Sequence, residues 1–399
     1  MTSPAPPDAR SKDVPTRAAR VGGAVDKERN MAYTNEDLKI LQALPLDLKI
    51  RKTKERIKDW YRHFGGDVYV SFSGGKDSTV LLHIVREMYP DVPAVFVNTG
   101  LEYPELRHFA ESMENVEVLH PKMPFDQVIT KYGYPLVGKE VSESIYKARK
   151  EGGEKQAWRK QKRSELLGIR KNGDQPSRFN KQRWLLLAEK APFRIGAECC
   201  EVMKKRPSSS YCTKTKRKPY LGTMAEESDL RRSAWLHHGC NAFNARKQSS
   251  QPLSFWREQD VLEYIDRYNI EIAPVYGDII WVGSDGQITM PEAKGAKRVT
   301  TGCNRTGCMF CAYGMHREKD ESRFERMKHT HPRLYEYSIG GGQWIDNPDY
   351  IDGLSDEPDE IGWIPWNPER IWVPSKKGLG MGFVFDFCNE LYGKKMWRY

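Results

Sequence analysis

Six residues, Ser73-Gly74-Gly75-Lys76-Asp77-Ser78, narrow the possible folds more than any other stretch of the chain. Val68, Val70 and Phe72 lead into them as a short apolar run, and a helical pattern follows at once. Strand, small polar loop and helix in that order place backbone N–H groups at a helix start, where an oxyanion is favoured. Gly74 and Gly75 allow close backbone approach, Ser73 and Ser78 add hydroxyls, Lys76 adds positive charge, and Asp77 is suited to cap the helix or hold magnesium. The spacing is not G-x-x-x-x-G-K-[ST], so a γ-phosphate machine of the kinase or GTPase kind is not indicated. A plain strand–helix turn would not need six such residues.

The surrounding pattern alternates strands with helices. Helices are expected over about 35–43 and 46–64, with Thr34 and Asp37 forming a capping box. Strands are expected at 68–72, 94–100 and 116–120, with another ending near Gly222. The stretch from Ser254 to Ile270 reads as an amphipathic helix. This order predicts an α/β fold, a parallel twisted sheet with helices on both faces, plus a cysteine-rich C-terminal part. Residues 1–33 read as disordered, 34–66 as N-terminal helices and 67–280 as a nucleotide-binding domain. Residues 281–399 read as a cysteine-rich segment and tail, whose end after 340 carries no readable pattern.

Four stretches together resemble a known family. "SFSGGKDSTVLLHI" is similar to the PP-loop of the ATP pyrophosphatases. "VNTGLEYPEL" resembles the second-strand signature of phosphoadenosine phosphosulfate (PAPS) reductase-like proteins, at Thr99, Gly100, Pro104 and Glu105. "YLGTMAEESDLRRS" resembles their G-x-x-x-x-E-S-x-x-R segment, at Gly222, Glu227, Ser228 and Arg231, and "PLSFWREQDVLEYI" resembles their proline–tryptophan helix. The resemblance implies an adenine nucleotide alpha hydrolase-like fold that binds ATP with Mg2+ and cleaves between the α and β phosphates. On this reading Ser73, Gly74, Gly75, Lys76, Asp77, Ser78, Thr99, Gly100, Gly222 and Glu227 bind the nucleotide, while Lys76, Asp77 and Arg231 are catalytic.

The chain has eight cysteines. Cys199-Cys200 and Cys308-x-x-Cys311 resemble the set that holds a [4Fe–4S] cluster in adenylylsulfate reductases. Thiolates suit iron–sulfur and zinc alike, but adjacent cysteines point apart, which a cube with separated corners accepts more easily than one tetrahedral ion. Cys303 stands as an alternative ligand or sulfur relay, Cys240 and Cys388 as core thiols, and Cys212 is expected in a lysine-rich loop. His237, His238 and His316 are candidate neighbours of the metal. The reductases of this family carry a Glu-Cys-Gly-x-His signature whose cysteine attacks the sulfonate, and no such motif follows Cys311. The resemblance therefore leaves three readings open. One is a sulfur transferase acting on nucleic acid, as in the family's phosphorothioation proteins. The others are a sulfonucleotide reductase of sulfate assimilation and a nucleotide-binding module without catalysis.

Charge bears on the partner. The net charge is +10, and residues 147–183 hold thirteen Lys and Arg against four Asp and Glu. A solvated insertion would read the same way. With Trp158, Phe179 and Trp184 interleaved, the segment also suits RNA or single-stranded DNA, through phosphate neutralisation and base stacking. A cysteine desulfurase or another sulfur donor is the second expected partner. No apolar run approaches membrane-spanning length and no secretory h-region is visible, so a cytoplasmic, reducing location is expected, with no membrane association.

Overall fold

The computed structural model describes residues 32–151, 156–169, 180–318 and 321–399. The expected disorder over 1–33 falls almost wholly outside these residues, as does Phe179.

Two helices come first, α1 (Asn35–Gln42) and α2 (Leu46–His63). The Asp37 carboxylate accepts the Thr34 N–H at 2.8 Å while the Thr34 hydroxyl accepts the Asp37 N–H at 3.1 Å, so the capping box forms. The chain then runs through β1 (Val68–Phe72), α3 (Lys76–Met88), β2 (Ala94–Val97), α4 (Pro104–Ser112) and β3 (Val116–Leu119). Next come α5 (Phe125–Tyr132), β4 (Leu136–Val137), α6 (Lys139–Ala148), α7 (Gln156–Leu167) and α8 (Leu185–Lys190). A single π-helical turn, Glu201–Lys205, leads into α9 (Arg206–Thr215) and β5 (Lys218–Leu221).

β3, β2, β1 and β5 form one sheet in that order, all parallel, with Val70 opposite both Ala94 and Tyr220. Side chains alternate across it. Val68, Val70 and Phe72 enter the main core, while Tyr69 and Val95 on the other face pack against Tyr211 of α9. Both faces are covered, which explains why β1 reads as a nearly unbroken apolar run. The chain leaves β1 toward β2 and β3 and returns to β5 on β1's other side. The crevice at such a reversal, outside the carboxyl ends of the strands, is where ligands bind in open α/β sheets. The loop after β1 and Gly222 after β5 both sit at that crevice.

The second half supplies α10 (Asp229–His238), α11 (Glu258–Arg267), β6 (Ile279–Val282), β7 (Lys297–Thr300), β8 (Ala312–Tyr313), α12 (Arg323–Thr330) and α13 (Pro332–Ile339). β9 (Gln343–Asp346), β10 (Arg370–Val373) and α14 (Met381–Tyr392) complete it. Packing does not divide at 280/281, because one core cluster runs from Leu38 to Trp397. β4 pairs in parallel with β8, the Tyr134 hydroxyl donates to the Leu379 carbonyl at 2.7 Å, and the Trp372 N–H donates to the Pro192 carbonyl at 2.7 Å. The tail is part of the body that carries the sheet.

Most of the described cations in the basic stretch 147–183 are already paired, several with carboxylates outside it. Lys147 pairs with Glu143, Lys162 and Lys181 with Glu165, Arg163 with Glu151 and Asp359, and Lys160 with Glu360. Arg149 is buried and donates to four carbonyls, those of Leu187, Ala188, Ala191 and Phe193, so it closes the C-terminal end of α8. Trp184 is buried against His316, Tyr392 and Trp397, which corrects the expectation that it stacks bases. Trp158 stays partly exposed, with the Lys147 ammonium 4.4 Å from its ring centroid.

Candidate active site

The loop after β1 is shaped by its own hydroxyls. The Ser78 hydroxyl donates to the Gly75 carbonyl at 2.8 Å and accepts the Ser73 N–H at 3.2 Å, and the Gly75 N–H reaches the Ser73 hydroxyl at 3.3 Å. Gly74 turns the chain at φ +71°, and a Cβ there would lie 2.9 Å from the Leu106 carbonyl oxygen. Only glycine fits that backbone without strain. At Gly222 a Cβ would lie 3.0 Å from the Asp77 carbonyl oxygen, so β5 comes flush against the start of α3.

Ser73, Gly75, Lys76, Asp77, Ser78, Gly222, Glu227 and Arg231 line one cavity of about 290 Å³. Thr99 and Gly100 do not line it; the Thr99 N–H and hydroxyl bind the Glu102 carboxylate at 3.0 and 2.8 Å, and the Gly100 N–H binds the Asn98 side chain at 3.0 Å. The cavity's other wall holds residues not singled out in the sequence, among them Glu258 of the proline–tryptophan stretch. The Lys76 ammonium donates to the Glu258 carboxylate at 2.7 Å and to the Asn304 carbonyl at 2.5 Å. The Tyr276 hydroxyl accepts the Lys76 N–H at 3.3 Å and meets the Thr306 hydroxyl at 2.7 Å, and Arg305 lines the same wall. Glu227 accepts the Met224 N–H at 2.8 Å and pairs with Arg231. The signal for this wall lay in the stretch Gly302-Cys303-Asn304-Arg305-Thr306-Gly307, which is polar and glycine-rich like the loop it faces.

Asp77 has one carboxylate oxygen buried without a hydrogen-bond partner. Burial raises its pKa above the ordinary value, with Lys76, Arg305 and Arg231 opposing the rise. A buried carboxylate oxygen without a hydrogen-bond partner thus faces three cationic side chains beside the glycine loop.

The model of the phosphoadenosine phosphosulfate reductase domain matches residues 67–313. The chain belongs to that family. A phosphoadenosine 5'-phosphosulfate reductase of Xanthomonas oryzae pv. oryzae is 31% identical over 95 residues, 23% of this chain and 39% of that protein. One of Buchnera aphidicola is 34% identical over 86 residues, 22% of this chain and 35% of the relative. The chain thus spans under two fifths of the length of the curated relatives it matches. The crystal structure of PAPS reductase from Candida auris as a phosphate complex aligns at a TM-score of 0.31 and 12% identity, over 61% of this chain and 92% of that one.

All four candidate metal cysteines lie within the PAPS reductase family match. Cys199 and Cys200 precede the π turn, and Cys308 and Cys311 follow the cavity wall. The structure brings the two pairs near enough to influence one another's ionisation. Cys200 is pushed down to about 6, first by the hydrogen bond from the Cys199 thiol and then by Lys139, Lys204 and Lys205. Cys199 moves up in turn, and burial raises Cys308 as well as Cys311, the latter to about 11. Lys204, carried by the π turn, stands beside Cys308 and 3.4 Å from Glu102. It thereby joins the cysteines to the segment that binds Thr99. Among the described residues no three His, Cys, Asp or Glu side chains converge as a single ion would require.

The remaining sulfur and imidazole candidates are placed elsewhere. Cys303 is buried, with the Arg326 guanidinium 3.8 Å from its sulfur. Cys240 accepts from the Ser254 hydroxyl at 3.3 Å in the core, and Cys388 is fully buried. Cys212 lies on α9 rather than in a loop, its sulfur 3.2 Å from the Tyr69 hydroxyl. His316 packs between Trp184 and Trp397, and His237 and His238 end α10. A His331–Glu105 pair, 3.1 Å apart, was not foreseen; it fixes the glutamate of the second-strand signature.

Proposed function

We propose that this PAPS reductase-family protein is an ATP-dependent sulfur transferase acting on nucleic acid. The observation that carries the reading is one cavity in which Lys76, Arg231 and Arg305 surround the unsatisfied Asp77 carboxylate at the loop, with a four-cysteine group behind its wall. ATP would place its β and γ phosphates on the loop, displacing Glu258 from Lys76. Asp77 would hold Mg2+, which would neutralise phosphate charge. An oxygen of the nucleic acid attacks the α-phosphorus, the bond from the α-phosphorus to the bridging oxygen breaks, and pyrophosphate leaves with that oxygen. Lys76, Arg231 and the loop N–H groups stabilise the charge that develops on it. The adenylated oxygen then departs as AMP when the terminal sulfur of a persulfide, carried by a donor such as a cysteine desulfurase, takes its place; a second thiol of the donor then attacks the cysteine sulfur of the mixed disulfide so formed, releasing the sulfur-bearing nucleic acid and leaving the donor as a disulfide.

Cys199, Cys200, Cys308 and Cys311 fit a [4Fe–4S] cluster as donors, being thiols from two segments that sense one another without closing on a single point. A cluster bound there would supply a redox-active, sulfide-bearing centre near the nucleotide. A sulfonucleotide reductase instead needs an accessible attacking thiol. Among the described residues the cysteine beyond Cys311 is Cys388, which is fully buried.

Pyrophosphate release from ATP, measured with and without added nucleic acid, tests the reading. Release should require nucleic acid and should fall at least about a hundredfold in the Lys76→Ala and Asp77→Ala double variant. Thioredoxin-dependent sulfite formation from a sulfonucleotide, with no pyrophosphate from ATP, would replace it with the reductase reading.

A further inference from the structure

We propose that a second cavity, separate from the nucleotide site, holds a single-stranded segment of the nucleic-acid substrate by stacking its bases and neutralising its phosphates; this rests on the nucleic-acid reading above. The cavity has a volume of about 690 Å³, more than twice that of the nucleotide cavity, and lies between α5, α6 and the segment that follows β9. Three aromatic rings line it, Tyr132, Tyr146 and Trp366. The two tyrosine rings stand 6.4 Å apart at 59°, so their faces are not spent on each other as a stack. Each aromatic carries a cation. The Lys131 ammonium is 5.4 Å from the Tyr132 centroid, that of Lys150 is 4.4 Å from Tyr146, and the Arg149 guanidinium is 4.3 Å from Trp366. Aromatic faces interleaved with cations are what a sequence-tolerant single-strand groove requires.

Charge points the same way. Four basic residues line the cavity against two acidic ones, Glu151 and Asp349. Both acids are already engaged, Glu151 with Arg163 and Asp349 with Arg194 of the same lining at 2.7 Å, which leaves Lys131, Arg149 and Lys150 as the excess charge. Arg149 is the unusual member. It is 7% exposed, its described hydrogen-bond partners are all carbonyls, and no carboxylate pairs with it among the described residues. A buried guanidinium without a counter-charge favours an anion at the adjacent wall.

The position suits a substrate. Arg194 and Ile195 line the cavity, and the Gly196 carbonyl that follows them accepts the Tyr313 hydroxyl at 3.1 Å. Tyr313 in turn lies two residues after Cys311, and Gly196 three residues before Cys199. Gly196 admits no side chain, since a Cβ would lie 2.0 Å from the Tyr132 carbonyl oxygen. One thin segment therefore separates the groove from the cysteine group.

The test is fluorescence anisotropy of a labelled twelve-nucleotide oligo-dT and oligo-U against the full chain over a salt series. Lys131 and Lys150 are exposed, so Lys131→Glu with Lys150→Glu should leave the melting temperature unchanged. That variant should bind at least about tenfold more weakly, with a slope of log affinity on log salt shallower by about 1.4, for two lost phosphate contacts. Tyr146→Leu should weaken binding about tenfold with little change in slope. The same charge reversal at exposed Arg51 and Lys58 on α2 is the control. Wild-type affinity in both groove variants would overturn the groove and leave the proposed function standing. No oligonucleotide binding by the wild type would overturn both. Displacement of the oligonucleotide by polyglutamate at equal charge concentration, with Tyr146→Leu unaffected, would make the cavity a docking site for an acidic polypeptide instead.

Discussion

The loop after β1 and the insertion after α6 both concentrate charge, but they are held in opposite ways. The loop is fixed by neighbours in sequence, Ser73 against Ser78 and Gly75 against Ser73, with Gly222 pressed on its back. The insertion is fixed by partners far along the chain, with Lys160 on Glu360, Arg163 on Asp359 and the Trp366 indole on the Ala191 carbonyl at 2.8 Å. Local restraint makes a loop that can be read from a short motif and tuned for a ligand. Distant restraint makes a segment whose composition alone suggests a free basic arm, although most of its described cations are already paired.

The comparison breaks most sharply at Arg149. Replacing it with methionine removes the guanidinium from the end of α8 and leaves four carbonyls without their donor. A loss of about 3–5 kcal/mol in unfolding free energy is expected, in the range for disrupting a buried charged network. Denaturant unfolding measures it. ATP affinity of the folded fraction should be unchanged, because the nucleotide cavity is built from other residues. A loss below about 1 kcal/mol would mean that the insertion is held elsewhere.

Gly74 probes the other side. Alanine there must adopt φ +71° and place its Cβ against the Leu106 carbonyl. The backbone cost is about 1–2 kcal/mol. The melting temperature should fall by only a few degrees, yet ATP binding by calorimetry should be lost, since the N–H groups no longer converge. Retained affinity would show that side chains alone bind the phosphates.

These two residues also mark what the sequence could disclose. The sheet strands and the capping box at Thr34 were legible because period-two burial and local hydrogen bonds leave their pattern in adjacent residues. In the cavity at the loop, Ser73 to Ser78 were legible because the whole turn lies in adjacent residues, whereas Gly222, Glu227 and Arg231 were marked by the family resemblance. Glu258, Tyr276 and Arg305 were not singled out, because each reaches the cavity from a separate element and their spacing repeats nothing. Trp184 misled because interleaved aromatic and basic residues look alike whether the ring faces solvent or the Trp397 side of the core. The tail after 340 was opaque because its elements are short and are stabilised by pairing with one another, β9 with β10, and by packing on segments 150 or more residues away.

The smallest expected effect concerns the Glu165–Lys181 pair, 2.6 Å apart, which ties α7 to the residues before α8. Burial alone would raise the Glu165 pKa, but hydrogen bonds from Lys162 and Lys181 outweigh it and leave the carboxyl below its ordinary value of 4.5. Burial likewise opposes the Lys181 charge, and Glu165 and Glu140 outweigh it, so that the ammonium lies above its ordinary 10.5. The glutamate's contribution is therefore present above pH 4.5 and lost as pH falls through its lower folded value. The lysine's is complete below pH 10.5 and lost as pH rises through its higher folded value. Between those limits the insertion should be at its firmest. Glu165→Gln should lower amide protection factors in α7 about fivefold at neutral pH, or about 1 kcal/mol, since Lys181 keeps Glu140 and water screens part of the loss. It should also flatten the acid dependence of α7 protection while leaving that of α3 unchanged. If α3 and α7 lose protection together on acidification, in the variant as in the wild type, the insertion and the loop unfold as one unit and the contrast between local and distant restraint does not extend to their stability.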